Sequence, residues 1–290
     1  MSSSKRIVHR YIRRHRRMNV AMMQEALADQ SDKTKYKVPR RFRFANKIQE
    51  KTYGMMPVFE VSPKKSYGYT LLYIHGGAYV HPFSVFHWRF MSKVSRRGGC
   101  GLEVPNYLKL PLFTYKKSHE QMMEFYKEFS STHKMDKVII AGDSAGGGFA
   151  LSLLQQARDL NLPLPKKAIL FSPWVDVVGG NPILDKYDCM IDYEVAQIPG
   201  KAWADNDDPH NPIISPLYGK MNDLCPVDIY VGTHEILFND CVKTHELLYK
   251  SGNTGKLFVG NKMGHVYPLY PMKEARPILK HIINQLRLKH

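Results

Sequence analysis

Residues 142–148 read Gly-Asp-Ser-Ala-Gly-Gly-Gly and lie between two segments of different character. The apolar run Val138 to Ala141 precedes them, and the helix-forming run Phe149 to Leu154 follows. This order predicts a strand, a sharp turn carrying Ser144, and a helix. Glycines two positions before and after a strained serine let the chain reverse without side-chain collision. Because G-x-S-x-G is a short pattern, an ordinary glycine-rich turn and a nucleophile elbow are equally good interpretations until the rest of the chain is considered.

A serine hydroxyl is a weak nucleophile at neutral pH, so an enzyme built on Ser144 needs oxyanion donors, a base and an acid. The strand-like run Tyr69 to Ile74 leads directly into His75-Gly76-Gly77-Ala78-Tyr79. Backbone N–H groups in such a glycine loop can face an oxyanion, and another comes from the residue after the nucleophile. We therefore predict an oxyanion hole made by Gly77, Ala78 and Ala145.

We expect the acid and the base just past the ends of later strands, because the functional residues of parallel sheets lie at the carboxyl ends of the strands. Glu235 follows the strand-like run Val227 to Thr233, whereas Asp240 lies further on, where an acid commonly provides the N-terminal charge of a helix. Glu235 is therefore preferred to Asp240 as the acid. The last strand-like run, Lys256 to Val259, precedes the loop that carries His265. Ser144, Glu235 and His265 therefore follow one another along the chain in the order nucleophile, acid and histidine.

Beyond about residue 55, strand-like runs alternate with helix-length segments, which predicts an α/β fold with a mostly parallel sheet and helices on both faces. The predicted strands are Pro57 to Val61, Tyr69 to Ile74, Leu102 to Val104, Val138 to Ala141, Ala168 to Ser172, Asp228 to Val231 and Lys256 to Val259. The predicted helices are Val85 to Ser95, Tyr115 to Phe129, Gly146 to Leu160, Asp240 to Tyr249 and Glu274 to Leu288.

Two segments depart from this alternation of strands and helices. Residues 1–50 are basic and predicted to be helical, and residues 179–216 are rich in Asn, Asp, Pro and Gly. We expect both to fold over one edge of the sheet as a helical cap. The predicted organisation is therefore an N-terminal cap segment, residues 1–50, and a catalytic domain, residues 51–290, with a cap insertion at about residues 179–216.

The bulk composition excludes several classes of protein. A chain of 290 residues with 43% hydrophobic residues can bury a real core. No uncharged apolar stretch reaches the roughly 18 to 20 residues that cross a bilayer, and the N-terminus lacks the apolar core of a secretory signal, so a cytoplasmic location is expected. The four cysteines lack C-x-x-C spacing and are expected to be free thiols. Neither a metal site nor a cofactor-binding motif occurs, so no metal or cofactor is expected.

The formal net charge of +16 is concentrated in part in the segment Lys5 to Arg17, which holds seven Lys or Arg residues and no acid. Such a segment is attracted to any polyanion. A solvated or cap-forming helix is the first interpretation, and weak association with an anionic membrane surface is the second. Nucleic acid comes last, because the segment has few aromatic residues and no nucleic-acid-binding module follows it. The oligomeric state stays open.

Taken together, these motifs resemble the α/β-hydrolase superfamily and, more narrowly, the hormone-sensitive-lipase-like esterases (the fold-3 group of acetyl-hydrolase and carboxylesterase relatives). The resemblance covers about residues 55–290. It is carried by His75 to Tyr79, Gly142 to Gly147, Ser172 to Asp176 with Ser215 to Tyr218, and Gly232 to Leu237 with Gly264-His265. There are two departures from the family pattern. Glu235 stands where the family more often has Asp, and Asn106 to Leu112 read N-Y-L-K-L-P-L where the family usually has D-Y-x-L-A-P-E.

The resemblance implies hydrolysis of carboxylic esters of short to medium acyl chain through an acyl-enzyme on Ser144. It also implies that His265 is the base, that Glu235 orients it, and that a small-molecule ester is the substrate. Amide or formamide hydrolysis would use the same residues. The other alternative is a non-catalytic protein of the same fold whose basic arm binds a polyanion or a membrane. Such proteins typically lose a triad residue, and here all three positions are filled.

Overall fold

An eight-stranded sheet runs through the computed structural model, which describes residues 2–15, 17, 19–45 and 47–287. The strands are β1 (Lys47–Tyr53), β2 (Met56–Ser62), β3 (Thr70–Ile74), β4 (Gly101–Pro105), β5 (Val138–Asp143), β6 (Lys167–Phe171), β7 (Val227–Gly232) and β8 (Leu257–Gly260). Their order across the sheet is β1-β2-β4-β3-β5-β6-β7-β8. The pairs β1–β2 and β2–β4 are antiparallel and the remaining neighbours are parallel, which confirms the predicted mostly parallel α/β sheet.

Helices cover both faces of this sheet, as predicted. They are α1 (Ser3–His15), α2 (Val20–Ala28), α3 (Arg40–Ala45), α4 (Val85–Gly98), α5 (Tyr115–Thr132), α6 (Ala145–Asp159), α7 (Tyr193–Ala204), α8 (Phe238–Lys250) and α9 (Ala275–Gln285). Successive side chains of a strand point to opposite faces, so each strand contributes to two cores. On β3, Leu72 and Ile74 pack in the core that holds α5, α6 and α8, whereas Leu71 and Tyr73 pack in the core that holds α4 and α9.

The predicted strands and helices all overlap elements of the structure, and their ends differ by at most three residues. Leu288, at the predicted end of the last helix, and Arg16 of the basic segment lie outside the described residues. The four cysteines are buried free thiols, as predicted. None of the helices in the described part of the chain combines the length and apolar character needed to cross a bilayer.

Strand β1 is the element that the sequence analysis missed. Residues 1–50 were expected to be helical, yet the chain enters a strand at Lys47, so the predicted boundary at residue 50 falls inside β1. Most β1 residues are exposed, and only Ile48 and Tyr53 are partly buried. Charged and polar residues are typical of an edge strand, which has to resist pairing with other chains. This composition lacks the apolar alternation that identifies a strand in the sequence.

The two segments predicted to form a cap contact each other. Helix α1 buries Val8 and Ile12 in the core that holds α4 and α9, so the described part of the basic segment is folded against the domain. Helix α2 packs against α7, and Met23 is buried in the opposite core. Between them, the guanidinium of Arg17 lies 3.2 Å from the Asp185 carboxylate and 3.1 Å from that of Asp192. The N-terminal segment and residues 179–216 are thus joined by packing and by ion pairs.

Candidate active site

Ser144 lies in the sharp turn between β5 and α6. Its backbone has φ 52° and ψ −124°, a strained conformation for a residue with a side chain. The flanking glycines are required by close approach: a Cβ on Gly146 would lie 2.2 Å from the carbonyl oxygen of Ile74, and one on Gly142 would lie 2.4 Å from that of Gly146. The chain therefore has the predicted strand, turn and helix, and Ser144 sits at the end of a central strand.

His265 and Glu235 form a buried pair beside this turn. His265 follows β8, Glu235 follows β7, and the imidazole Nδ1 lies 2.7 Å from the carboxylate Oε2. Because Nδ1 donates its proton to the carboxylate, Nε2 is the nitrogen that can accept a proton. The competing acid, Asp240, instead accepts a hydrogen bond of 2.8 Å from the N–H of Gly180. The structure thus brings together the histidine and the acid that the sequence preferred.

The pKa of His265 is raised above its usual value by the balance of opposing effects. Burial is the largest single effect and lowers this pKa, but the hydrogen bond and negative charge of Glu235 and the charges of Asp188 and Asp143 together outweigh burial. A proton on His265 is therefore stabilised by three carboxylates. This is the electrostatic environment that a histidine needs if it is to hold a proton during a reaction.

Asp188 was not identified from the sequence. It lies in the segment 179–216, it is fully buried, and its carboxylate accepts hydrogen bonds from the N–H groups of Met190, Ile191 and Ile236 at 2.8 to 3.0 Å. Burial raises the pKa of Asp188 to about 6. The bond to Ile236 ties the predicted cap insertion to the residue that follows Glu235. An isolated aspartate in a polar segment gives no sequence signal for such a contact.

Ser172 holds Glu235 and the histidine loop at the same time. Its hydroxyl donates to Glu235 Oε1 at 2.8 Å and accepts from the N–H of Val266 at 3.0 Å. The N–H of Gly232 also donates to Oε1, at 2.6 Å. One carboxylate oxygen is thus fixed by two donors while the other faces His265. Sequence analysis included Ser172 among the stretches that carry the resemblance but gave it no role.

The loop after β3 contains two of the predicted oxyanion donors. Gly77 has φ 124° and Ala78 has φ 54°, and a Cβ on Gly77 would lie 2.7 Å from the carbonyl oxygen of His81. Among the described residues, none accepts a hydrogen bond from the N–H of Gly77 or Ala78. Ala145 is the first residue of α6, so its N–H has no partner within the helix. The loop geometry therefore leaves N–H donors close to Ser144.

Asp143 binds a histidine other than His265. Its carboxylate accepts from the Tyr73 hydroxyl at 2.6 Å, from the N–H of Gly76 at 3.1 Å, and from His87 Nε2 at 3.1 Å. The N–H of Ser84 donates to His87 Nδ1, so the ring proton is on Nε2. Burial raises the pKa of Asp143, but the pairing with His87 and the hydrogen bonds from the other two donors outweigh it and hold the pKa below its usual value.

A cavity of about 440 Å³ opens onto Ser144 and His265. Both predicted cap segments line it with apolar side chains, namely Met22, Met23, Val195, Ala196 and Pro199. Gly77 and Ala78, in the loop after β3, also line this cavity. In the part of the chain that the structure describes, no group of three His, Cys, Asp or Glu side chains is gathered as a metal site requires. The cavity suits an apolar small molecule with a polar group at the serine.

Comparison with known proteins identifies the family. A model of the alpha/beta hydrolase fold family matches residues 71–269, which include Ser144, Glu235 and His265. The chain belongs to the α/β-hydrolase fold family. A solved esterase from the bacterial hormone-sensitive lipase family superposes on this α/β-hydrolase with a TM-score of 0.85 at 21% identity, over 99% of this chain and 98% of the other. At that identity the likeness shows the fold.

Two curated relatives carry names that describe hydrolases. This α/β-hydrolase is 32% identical over 199 residues to a triacylglycerol lipase of Mycobacterium tuberculosis, a match covering 67% of this chain and 41% of the lipase. It is 29% identical over 214 residues to an acetyl-hydrolase of Streptomyces hygroscopicus, a match covering 72% of each chain. The match therefore spans less than half of the lipase and nearly three quarters of the acetyl-hydrolase.

The Asp143–His87 pair gives a prediction about the stability of this α/β-hydrolase. His87→Phe leaves a buried carboxylate with one partner fewer, and we expect the free energy of unfolding at pH 7 to fall by about 1 to 3 kcal/mol. The pKa of Asp143 is depressed in the folded protein, so the pair stabilises the fold above the unfolded pKa and this contribution is lost as pH falls. Urea unfolding at pH 7 and at lower pH measures the difference. His210→Phe, at an exposed site, is the control. If the loss of unfolding free energy in His87→Phe is as large at the lower pH as at pH 7, the stabilising role of the Asp143–His87 pair is wrong.

Proposed function

We propose that this α/β-hydrolase is a serine hydrolase that cleaves carboxylic esters. The observation that carries the proposal is that the strained Ser144 and the His265 of a buried histidine–carboxylate pair line the same apolar cavity. A relative named as a lipase and another named as an acetyl-hydrolase support it. The sequence resemblance to hormone-sensitive-lipase-like esterases points in the same direction.

In the first half of the proposed reaction, His265 Nε2 takes the proton from Ser144 Oγ as Oγ attacks the ester carbonyl carbon. The tetrahedral intermediate carries a negative charge on the former carbonyl oxygen. This oxyanion accepts hydrogen bonds from the N–H groups of Gly77, Ala78 and Ala145. As the intermediate collapses, the bond to the alcohol oxygen breaks, His265 gives its proton to that oxygen, and the acyl group stays on Ser144.

In the second half, water repeats the same steps from the other side. His265 Nε2 removes a proton from the water, and the resulting hydroxide attacks the acyl carbon of the ester on Ser144. The intermediate is held by the same N–H donors and then expels Oγ, which recovers its proton from His265. The products are one alcohol and one carboxylic acid, and no cofactor takes part. Glu235 orients the imidazole throughout, while Ser172 fixes Glu235.

The substrate class follows from the cavity and from the resemblance. An apolar cavity of about 440 Å³ holds an acyl chain of short to medium length beside the serine. The proposed cap supplies the wall through α2 and α7, so these helices set the acyl preference. An amide or formamide would react through the same steps, with an amine as the leaving group, and it is a second outcome of the activity tests. A purely binding role is disfavoured because Ser144, Glu235 and His265 are all retained.

We further propose that helix α1 makes weak contact with an anionic membrane surface. Its exposed face carries Arg6, Arg10, Arg13 and Arg14 next to the exposed apolar side chains of Ile7 and Tyr11. Cations beside exposed apolar groups are the composition of a helix that lies in a membrane interface. The buried residues Val8 and Ile12 anchor the other face of α1 to the domain, so a test requires substitutions on the exposed face and not deletion of the helix.

The nucleophile is tested by Ser144→Ala. We expect kcat on p-nitrophenyl acetate and butyrate to fall by about 10⁴-fold or more, because the acyl-enzyme can no longer form. A fluorophosphonate labels the wild type at Ser144 and does not label the variant. Acyl esters of increasing length and matched amides, assayed with the wild type, define the substrate class. If the wild type turns over no ester or amide and Ser144 takes up no fluorophosphonate, the proposal is wrong.

The acid is tested by the pH dependence of Glu235→Gln. Hydrolysis needs neutral His265 as the base, so wild-type kcat/KM rises with pH through the raised pKa of His265. In Glu235→Gln the carboxylate is lost while the effect of burial remains, so the pKa of His265 falls. The rise in kcat/KM should therefore occur at lower pH, and kcat should decrease. Asp240→Asn is the matched control and keeps the wild-type profile. An unshifted profile in Glu235→Gln contradicts the assigned role.

A further inference from the structure

A second cavity, of about 650 Å³, lies between α4 and α9 and is distinct from the one at Ser144. We call it the basic cleft, because its rim carries the six cations Arg89, Lys93, Arg97, Arg276, Lys280 and Arg287. Its floor is apolar and includes Phe90, Leu269 and Ile283. The cleft adjoins the catalytic cavity, since Tyr270 lines both.

The charge on the basic cleft is not balanced by acids. Residues 85–98 and 275–287 contain no Asp or Glu, and no lining residue is acidic. Among the described residues, none of the six cations has a carboxylate within 4.0 Å. The acid nearest in sequence, Glu274, interacts with Ser2 and Lys5 of the N-terminal segment instead. Protein surfaces usually mix charges of both signs, so a cleft of one sign attracts an anion.

The crowding of the cations lowers the pKa of Lys93. Burial lowers the pKa of Lys93, and repulsion from Arg89, Arg97 and Arg276 lowers it further. The folded protein therefore holds like charges together across the cleft with no counter-charge among the described residues. An anion bound between α4 and α9 would remove this repulsion and gain hydrogen bonds from several cations.

We propose that the basic cleft binds the phosphate headgroup of an anionic lipid at a membrane surface. A lipid fits better than a nucleic acid, because the aromatic side chains of the cleft, Phe90 and Tyr270, are buried and offer no surface on which bases could stack. The exposed Pro271 and the half-buried Leu279, which also line the cleft, offer apolar contact to the glycerol and the first methylenes of a lipid. The N–H of Lys273 donates to Ser4 Oγ at 3.1 Å, so the start of α9 adjoins α1 and its exposed Ile7. One lipid surface can then contact both helices.

Vesicle flotation tests this proposal. K93E/R276E/K280E is compared with K64E/K134E/K250E, which changes the net charge equally at exposed lysines elsewhere. The vesicles are pure phosphatidylcholine or phosphatidylcholine mixed with phosphatidylglycerol. Each basic residue near an anionic surface contributes about a factor of five in affinity, and the variant also adds three negative charges, so it should bind mixed vesicles at least about a hundredfold more weakly than the wild type. The control should lose far less, and both variants should keep wild-type turnover of soluble esters.

Several outcomes overturn the proposal. Equal losses of vesicle binding in the two triple variants would mean that binding depends only on the net charge of the protein. Loss of binding in an α1 variant, R6E/R10E, with none in the cleft variant would assign lipid contact to α1 alone. Saturable binding of inorganic phosphate that is lost in the cleft variant, without preference for anionic vesicles, would make this a site for a free anion. Tighter binding of single-stranded DNA than of anionic vesicles would make the partner a nucleic acid.

An independent observation concerns Lys109, which follows β4 and is buried without a carboxylate partner among the described residues. Its Nζ lies 2.6 Å from Asn106 Oδ1, 2.7 Å from the carbonyl oxygen of Tyr107, and 3.4 Å from His75 Nε2. His75 Nδ1 lies 2.6 Å from the carbonyl oxygen of Gly76, so Nδ1 carries the ring proton and Nε2 is an acceptor. Nζ thus faces three acceptors, which only an ammonium can satisfy with three N–H donors.

These bonds end at the oxyanion loop. His75 fixes the carbonyl oxygen of Gly76, and in a trans peptide the N–H of Gly77 points the opposite way. Asn106 is anchored in turn, because its Nδ2 donates to the carbonyl oxygens of Lys33 and Thr34 at 3.1 and 3.0 Å. A continuous series of hydrogen bonds therefore runs from the N-terminal segment through Asn106, Lys109 and His75 to the peptide that presents the Gly77 N–H.

We infer that Lys109 is a positioning residue for the oxyanion hole, an inference that rests on the proposed ester hydrolysis. It holds His75 in the tautomer that fixes the Gly76–Gly77 peptide, and its charge polarises that peptide through the imidazole. The charged and titratable groups facing Lys109 are His75, the ring of Tyr107 at 4.6 Å, and Lys33, with His87 beyond His75. Burial, and then repulsion from Lys33, lower the pKa of Lys109. Its deprotonation as the pH rises should therefore weaken catalysis.

Two variants test this role. Lys109→Met should lower kcat by about ten- to a hundredfold with little change in KM, and it should lack the alkaline decrease in kcat. Lys33→Met removes the repelling charge, so the alkaline decrease should move to higher pH. If Lys109→Met fails to fold, the shift in Lys33→Met still decides the question. Wild-type kcat and alkaline profile in Lys109→Met, or an unmoved profile in Lys33→Met, overturn the inference. Absence of hydrolysis by the wild type would instead refute the proposed function.

Discussion

The buried carboxylate of Asp143 is the constraint on which the arrangement around Ser144 depends. It is the last residue of β5, directly before the serine, and it binds the hydroxyl of Tyr73 from β3, the N–H of Gly76, and the ring of His87 from α4. One side chain thus ties the turn at Ser144 to the neighbouring strand, to the loop after β3 and to a helix on the far face of the sheet. Because a buried charge is costly unless its donors are present, this group selects one relative placement of all three.

The same logic applies to the other buried polar groups of the site. Glu235 has both carboxylate oxygens engaged, by Ser172 and Gly232 on one side and by His265 on the other. Asp188 is satisfied by three backbone N–H groups. An apolar cavity bordered by fully bonded charges is pre-organised: the dipoles that a reaction needs are held in position before a substrate arrives, so little reorganisation is required during the chemical step.

The sequence predicted the features that depend on local patterns of residues. The strands and helices follow from apolar periodicity, and the turn at Ser144 follows from glycines whose Cβ atoms would collide with neighbouring carbonyl groups. The pairing of His265 with Glu235 followed from the strand ends and from the chain order of nucleophile, acid and histidine. Contacts such as Asp143 with His87, or Ser172 with Glu235, join residues far apart in sequence through side chains that have many other uses, so no local pattern indicates them. Strand β1 was missed because its residues face solvent and carry no apolar alternation.

The N-terminal segment has more than one structural role. Arg17 binds Asp185 and Asp192 of the segment 179–216, and α2 lines the cavity at Ser144. The carbonyl oxygens of Lys33 and Thr34 anchor Asn106, which leads to the oxyanion loop. A displacement of this segment, for instance by contact of α1 with a surface, would therefore change the cavity wall and the support of the Gly76–Gly77 peptide together. The proposed cap, connected in this way, would couple the proposed membrane contact to the state of the site, because both respond to the same segment.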